Sequence, residues 1–208
     1  MEERLTLEIT SGLTLEAWLG IVDAPRGGLV LCHPHPLYGG DMDNPVVVRA
    51  AEVAREVGVA TLRFNFRGAG ASSGIHDRGE GEQDDIRGAL TVLRQRVPLA
   101  PLALAGYSFG AWVSSRVAAR EPGLAGVCLI APPLTMADIA IPDGADLRLL
   151  VVAGTRDPYC PEPDLDRLAS RLPPGAVARI EGADHFFFGK LYPLGEAVRG
   201  WTAGWVGR

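Results

Sequence analysis

Ser108 stands in Gly106-Tyr107-Ser108-Phe109-Gly110, Asp157 follows Gly154-Thr155-Arg156, and His185 follows Ala183-Asp184. A serine hydroxyl is a poor nucleophile until a base removes its proton. An imidazole does this near neutral pH. A carboxylate on the far ring nitrogen fixes the tautomer and stabilises the imidazolium. The three residue types occur in an order known for such sets, serine before acid before histidine. They predict nucleophilic attack on a carbonyl carbon, with Ser108, Asp157 and His185 as catalytic residues. Asp138, after the apolar run that follows the serine, is a rival for the acid. Asp157-Pro158 also suits an ordinary turn, and His185 beside Phe186 suits a half-buried surface histidine.

A carbonyl under attack needs two backbone donors for its developing negative charge. The N–H of Phe109, next after Ser108, is the natural first. The second is expected from the His33-Pro34-His35-Pro36-Leu37-Tyr38-Gly39-Gly40 loop. Proline has no N–H, which leaves His35, Leu37 or Tyr38, with Leu37 and His35 favoured. Tyr38, Tyr107, Tyr159 and Phe186 are expected to border the substrate cleft. His33 and His35 lack a third ligand at metal-site spacing, so no metal site is predicted. Cys160, three residues past Asp157, is expected near the cleft mouth without a catalytic role.

These residues need a rigid frame. An apolar run, Leu102 to Ala105, leads into Gly-x-Ser-x-Gly, and a pattern of small residues (Ala111, Ser114, Ser115, Ala118) follows. That is a strand, a very tight turn and a helix that packs close to a sheet. The chain opens with two alternating runs around Ser11-Gly12, Leu5–Ile9 and Leu13–Leu19, which read as an antiparallel hairpin. Leu29–Cys32, Ala60–Phe66, Ala125–Ala131, Leu147–Ala153 and Val177–Ile180 read as buried strands. Helices are expected over 46–57, 82–97, from the serine turn to Arg120, over 165–172 and over 192–206. The alternation implies a mostly parallel twisted sheet with helices on both faces, in one domain over 1–208. In such sheets the site lies beyond the carboxyl ends of the strands. The loop from Arg67 to Gly81 lacks a phosphate-binding pattern; it reads as structural, with Arg67 bonding carbonyls, Asp84 or Asp85.

The composition narrows the options. The 208 residues are 47% hydrophobic and 22% charged, with a net charge of −5. Neither a basic block nor a membrane-length apolar run is present, so neither nucleic acid nor a membrane is an expected partner. Met1-Glu2-Glu3-Arg4 does not resemble a signal peptide. Cys32, Cys128 and Cys160 are odd in number, and a reduced, cytoplasmic compartment is the simplest expectation.

The chain resembles the serine α/β-hydrolase superfamily along nearly its whole length. Within it, the chain is similar to small bacterial members carrying His-Pro-His-Pro-x-x-Gly-Gly (His33 to Gly40), Leu-Arg-Phe-Asn-Phe-Arg-Gly (Leu62 to Gly68) and Gly-Tyr-Ser-Phe-Gly. Their relatives include compact esterases and dienelactone-hydrolase-like enzymes. True dienelactone hydrolases use cysteine where Ser108 stands, so that substrate is not expected. The resemblance implies an α/β-hydrolase fold and the Ser108–Asp157–His185 set, with no cofactor. The expected activity is hydrolysis of small carboxylic esters through an acyl-enzyme. A thioesterase or small peptidase would use the same residues, and a non-catalytic binding protein could share the fold. The short connection from Pro132 to Asp146 predicts that no lid domain covers the site. A shallow, open cleft is therefore expected.

Overall fold

The apolar runs form one eight-stranded sheet in the order β1-β2-β4-β3-β5-β6-β7-β8. The computed structural model describes residues 2–9, 12–141 and 147–206. Strands β1 (Glu2–Glu8) and β2 (Thr14–Gly20) pair antiparallel, and β2 joins β4 (Val59–Phe64) antiparallel. The hairpin is as expected, although Ser11 of its connection lies outside the described residues. From there β3 (Gly27–Cys32), β4, β5 (Leu102–Tyr107), β6 (Leu124–Ile130), β7 (Arg148–Gly154) and β8 (Val177–Ile180) run parallel. Every residue of β3, β4 and β5 is buried. This is why they read as continuous apolar stretches.

Each face of the sheet has its own core. Helices α1 (Pro45–Glu56) and α5 (Leu191–Trp205) pack together on one face, over Leu29, Leu31, Ala103 and Ala105. Helices α2 (Gly81–Arg96) and α3 (Phe109–Ala118) cover the other, over Val30, Leu62 and Leu104. Asn44 caps α1 by accepting from the Val46 N–H at 3.0 Å, with Pro45 at the first helical position. Helix α4 (Glu162–Ala169) starts and stops three residues earlier than its apolar residues suggest. Glu162 and Asp164 favour its first turn, and Pro173 follows its end. The described part of the β6–β7 connection, 131–141, contains turns and no helix. The expectation for Pro142 to Asp146 lies outside the described residues.

Strand order puts β5 in the centre of the sheet, with β3 on one side and β6, β7 and β8 on the other. The loops after β3, β5, β7 and β8 therefore share one edge, and these are the loops that hold the predicted chemistry. The β4–α2 loop reaches the same edge and is anchored by a buried ion pair. Arg67 Nη2 donates to Asp85 Oδ1 at 2.7 Å, Nε donates to the same carboxylate, and the Arg67 backbone N–H donates to Oδ2 at 2.9 Å. Asp85 is fully buried, and burial raises its pKa against the pull of Arg67. Of the two carboxylates considered for Arg67, Asp85 is the partner; Asp84 pairs with Arg87.

Removing one member of a buried pair leaves the other uncompensated. Asp85→Asn is therefore expected to cost about 3 kcal/mol, a fall in Tm of roughly 6–12 °C for a chain of this size. Calorimetry of the two proteins measures it. A loss below about 1 kcal/mol, the ceiling for a surface pair, would show that the pair anchors nothing.

Candidate active site

Ser108 opens helix α3 with φ 55° and ψ −116°, a backbone conformation few side chains tolerate. The neighbouring glycines explain how the turn closes. A Cβ on Gly106 would lie 2.2 Å from the Gly110 carbonyl oxygen. One on Gly110 would lie 2.5 Å from the Cys32 oxygen and 2.6 Å from that of His33. The Ser108 N–H donates to Ile130 O of β6 at 2.8 Å, which ties the turn to the next strand.

Three predicted residues meet in one hydrogen-bonded chain. His185 Nε2 lies 3.0 Å from Ser108 Oγ, and His185 Nδ1 lies 2.7 Å from Asp157 Oδ2. The other oxygen of Asp157 accepts the N–H groups of Tyr159 at 2.8 Å and Cys160 at 3.2 Å. With both carboxylate oxygens committed, the ring holds its proton on Nδ1 and turns the Nε2 lone pair to Ser108. The loops carrying Asp157 and His185 are stapled together: Arg156 N–H donates to Ala183 O at 2.9 Å and Gly182 N–H to Thr155 Oγ1 at 2.9 Å. Asp138 is not part of this chain. It borders a separate surface hollow with Arg116 and Arg120.

The expected pair of donors is half altered. The Phe109 N–H sits in the first turn of α3, where no intrahelical acceptor is available. Leu37 does not fit its expected part. Its N–H donates to His35 Nδ1 at 3.2 Å, and its side chain is 68% exposed outside the cleft. Tyr38 N–H donates to His35 O at 3.1 Å. Among the described residues the His35 N–H has no acceptor, so His35 is the candidate the geometry leaves. The reason is local: Pro36 to Tyr38 form a tight 3-10 turn that consumes its own N–H groups.

The cleft above Ser108 has a volume of about 560 Å³, within the range that holds small ligands. Tyr38, Tyr159 and Phe186 line it as anticipated. Tyr107 contributes from beneath: it is 3% exposed, and its hydroxyl donates to His185 O at 2.9 Å. Phe109, Trp112, Met136, His76 and Arg78 also line the cleft. Trp112 was legible as the residue one helical turn after Ser108, but His76 and Arg78 were hidden in the loop read as structural. Cys160 is not at the mouth. It is 1% exposed within an apolar cluster, and burial, with the Asp157 charge, pushes its thiol up to about 12.

His33 supports the loop from below. Phe66 N–H donates to its Nε2 at 2.9 Å, and its Nδ1 lies 2.6 Å from Pro34 O. The two contacts fit a neutral ring, and burial pulls its pKa down to about 4. Among the described residues no helix is long and apolar enough to cross a membrane.

A sheet of this order, with the serine on a strained turn between its central strand and a helix, defines a serine hydrolase of the α/β-hydrolase fold. A family model described as "Serine aminopeptidase, S33" matches residues 25–147. The chain belongs to that family. It is 33% identical to XC6422 from Xanthomonas campestris, described as an a/b serine hydrolase without lid; the match covers 100% of this chain and 96% of that one, with a TM-score of 0.89. An alpha-beta serine hydrolase homologue from Coxiella burnetii is 32% identical, with 95% of each chain covered and a TM-score of 0.83. The uncharacterized protein RP471 of Rickettsia prowazekii is 34% identical over 179 residues, 81% of this chain and 75% of that protein.

His33 gives a pH test. Folded His33 takes its proton near pH 4, whereas an unfolded histidine takes it near 6.5. As the pH falls the unfolded chain is protonated first. The stabilisation by His33 is complete above about 6.5 and is lost between about 6.5 and 4. His33→Asn is expected to flatten the fall of Tm across this window, as read by calorimetry at a series of pH values. Parallel curves for the two proteins would remove His33 from the account.

Proposed function

We propose that the protein is an esterase that cleaves small carboxylic esters through an acyl-enzyme on Ser108. The observation that carries this reading is the unbroken chain Asp157–His185–Ser108 at hydrogen-bonding distances. His185 Nε2 accepts the hydroxyl proton as Ser108 Oγ attacks the carbonyl carbon. The oxyanion is received by the N–H groups of Phe109 and His35. Protonated His185, steadied by Asp157, gives its proton to the departing alcohol. Water then enters, loses a proton to the same nitrogen and releases the acid. Nothing in this sequence of steps calls for a metal or cofactor.

The cleft lining supports esters over peptides with a free amino terminus. An aminopeptidase must hold a protonated amine, and the described lining residues include neither aspartate nor glutamate. Asp157 is spent on His185 and on backbone N–H groups. A thioester would meet the same machinery. A cytoplasmic location agrees with Cys32, Cys128 and Cys160, all buried and unpaired.

Ser108→Ala is expected to lower kcat by about 10⁶ and to abolish labelling by a fluorophosphonate probe. Asp157→Asn should lower kcat by about 10⁴, while Asp138→Asn leaves it unchanged. If Asp138→Asn is the crippling change, the acid has been misplaced. Among p-nitrophenyl esters of increasing length, kcat/KM should peak at short acyl groups, about C2 to C4, because an uncovered cleft buries few further methylenes. A steady rise toward long chains would speak for a deep acyl channel instead.

A further inference from the structure

The cleft lining has a charge pattern that ester cleavage alone does not require. The chain carries a net charge of −5, yet the ionisable groups lining the cleft are His35, His76, His185 and Arg78, with Tyr38, Tyr107 and Tyr159 and no carboxylate among the described lining residues. His185 belongs to the chemistry. The His35 and His76 rings lie 4.7 Å apart, and each packs on Phe109; Arg78, two residues after His76, also lines the cleft.

Arg78 is held there deliberately. Its φ is +53°, a conformation costly for any residue with a Cβ. Glu82, fully buried, imposes it by accepting the N–H groups on either side of Arg78, from Asp77 at 2.8 Å and from Gly79 at 2.8 Å. The Asp77 carboxylate is turned to the Gly81 N–H at 3.1 Å. Trp112 presses on the loop from the other side, where a Cβ on Gly79 would lie 2.3 Å from its ring. His76 Nδ1 lies 2.8 Å from Glu82 Oε1, off the axis of a hydrogen bond. Glu82 thus fixes the backbone on both sides of Arg78. The Arg78 guanidinium makes neither an ion pair nor a hydrogen bond with any described residue.

We propose that Arg78, which lines the cleft together with His76 and His35, receives a carboxylate borne by the substrate, so that the preferred esters are anionic. A guanidinium offers a planar pair of N–H donors matched to a carboxylate. No acidic group of the described lining repels the ligand. This inference rests on the esterase reading and narrows its substrate class. The carboxylate sits on either the acyl or the alcohol side of the ester, and the assay separates the two.

The test compares anionic esters with neutral counterparts of similar shape. For the acyl side these are p-nitrophenyl hemisuccinate and p-nitrophenyl 4-methylpentanoate. For the alcohol side they are 4-acetoxybenzoate and 4-isopropylphenyl acetate. The readout is the anionic-to-neutral ratio of kcat/KM. For one pair it is expected to fall at least about tenfold, through KM, in Arg78→Gln. Arg78→Lys should keep part of it, and added salt should shrink it in the unaltered protein. Arg78→Gly serves as the second variant, because glycine accepts the same backbone conformation without strain. It should lose the ratio while keeping the loop. The pair that responds assigns the side.

Ratios that stay put in both Arg78→Gln and Arg78→Gly, for both ester pairs, would overturn the anion site while leaving the esterase standing. Failure of fluorophosphonate to label Ser108 would instead strike the esterase reading. In that event, calorimetric titration of Ser108→Ala with monomethyl succinate and with 4-acetoxybenzoate, with and without Arg78→Gln, still decides the site. Binding of either compound that is weakened by Arg78→Gln supports it, and binding that is indifferent or absent for both refutes it.

Discussion

The carboxyl edge of the sheet is gauged by how closely helix α3 lies on strands β3 and β5. Gly106 and Gly110 permit that approach, because at either position a single methyl group would drive into backbone carbonyls. Contact of this kind cannot be relieved by a rotamer change, since the opposing atoms are main chain. The same contact that bends Ser108 into its strained form also sets the distance between α3 and the loop that begins at His33. Nucleophile and oxyanion donors are therefore positioned by one packing constraint, and the histidine and acid loops are fitted around it. Hydrogen bonds from the Arg156 and Gly182 N–H groups tie those two loops to each other.

Much of this was readable in the residues. Gly-x-Ser-x-Gly after an apolar run carries its own steric explanation, and strand alternation placed Asp157 and His185 on the same edge before any distance was known. What escaped were features decided by tertiary contact. Leu37 and His35 have equal claims in a loop sequence; only the 3-10 turn shows that the Leu37 N–H is spent within the loop. Cys160 follows Asp157 by three residues, yet the turn that bonds Asp157 Oδ1 to two N–H groups tucks the thiol inward. The role of Glu82 was invisible because a glutamate near a helix start normally reads as a favourable first-turn charge. Its burial against a loop five residues back has no periodic signature.

The electrostatics separate into two regimes. Carboxylates with structural work are buried and fully engaged: Asp85 by Arg67, Glu82 by backbone N–H groups, Asp157 by His185 and two N–H groups. Low-dielectric surroundings strengthen such contacts and penalise any that are lost. The open cleft, by contrast, is lined by rings and by cationic or neutral groups. Among the described lining residues an ester carbonyl entering there meets no carboxylate.

The wall formed by Pro133, Met136 and Ala137 belongs to the connection between β6 and β7. Among the described residues it is anchored by Thr135, whose N–H and hydroxyl donate to Tyr159 O at 3.2 and 3.4 Å, and by Ala140 N–H donating to Ser115 Oγ at 3.2 Å. Among the described residues, none of it bonds to the side chains of Ser108, Asp157 or His185. In evolutionary terms the molecule is modular. Insertions or replacements in this one stretch would reshape what fits above the serine while the proton-transfer apparatus stays intact, so a lineage could diversify in diet without reinventing its chemistry.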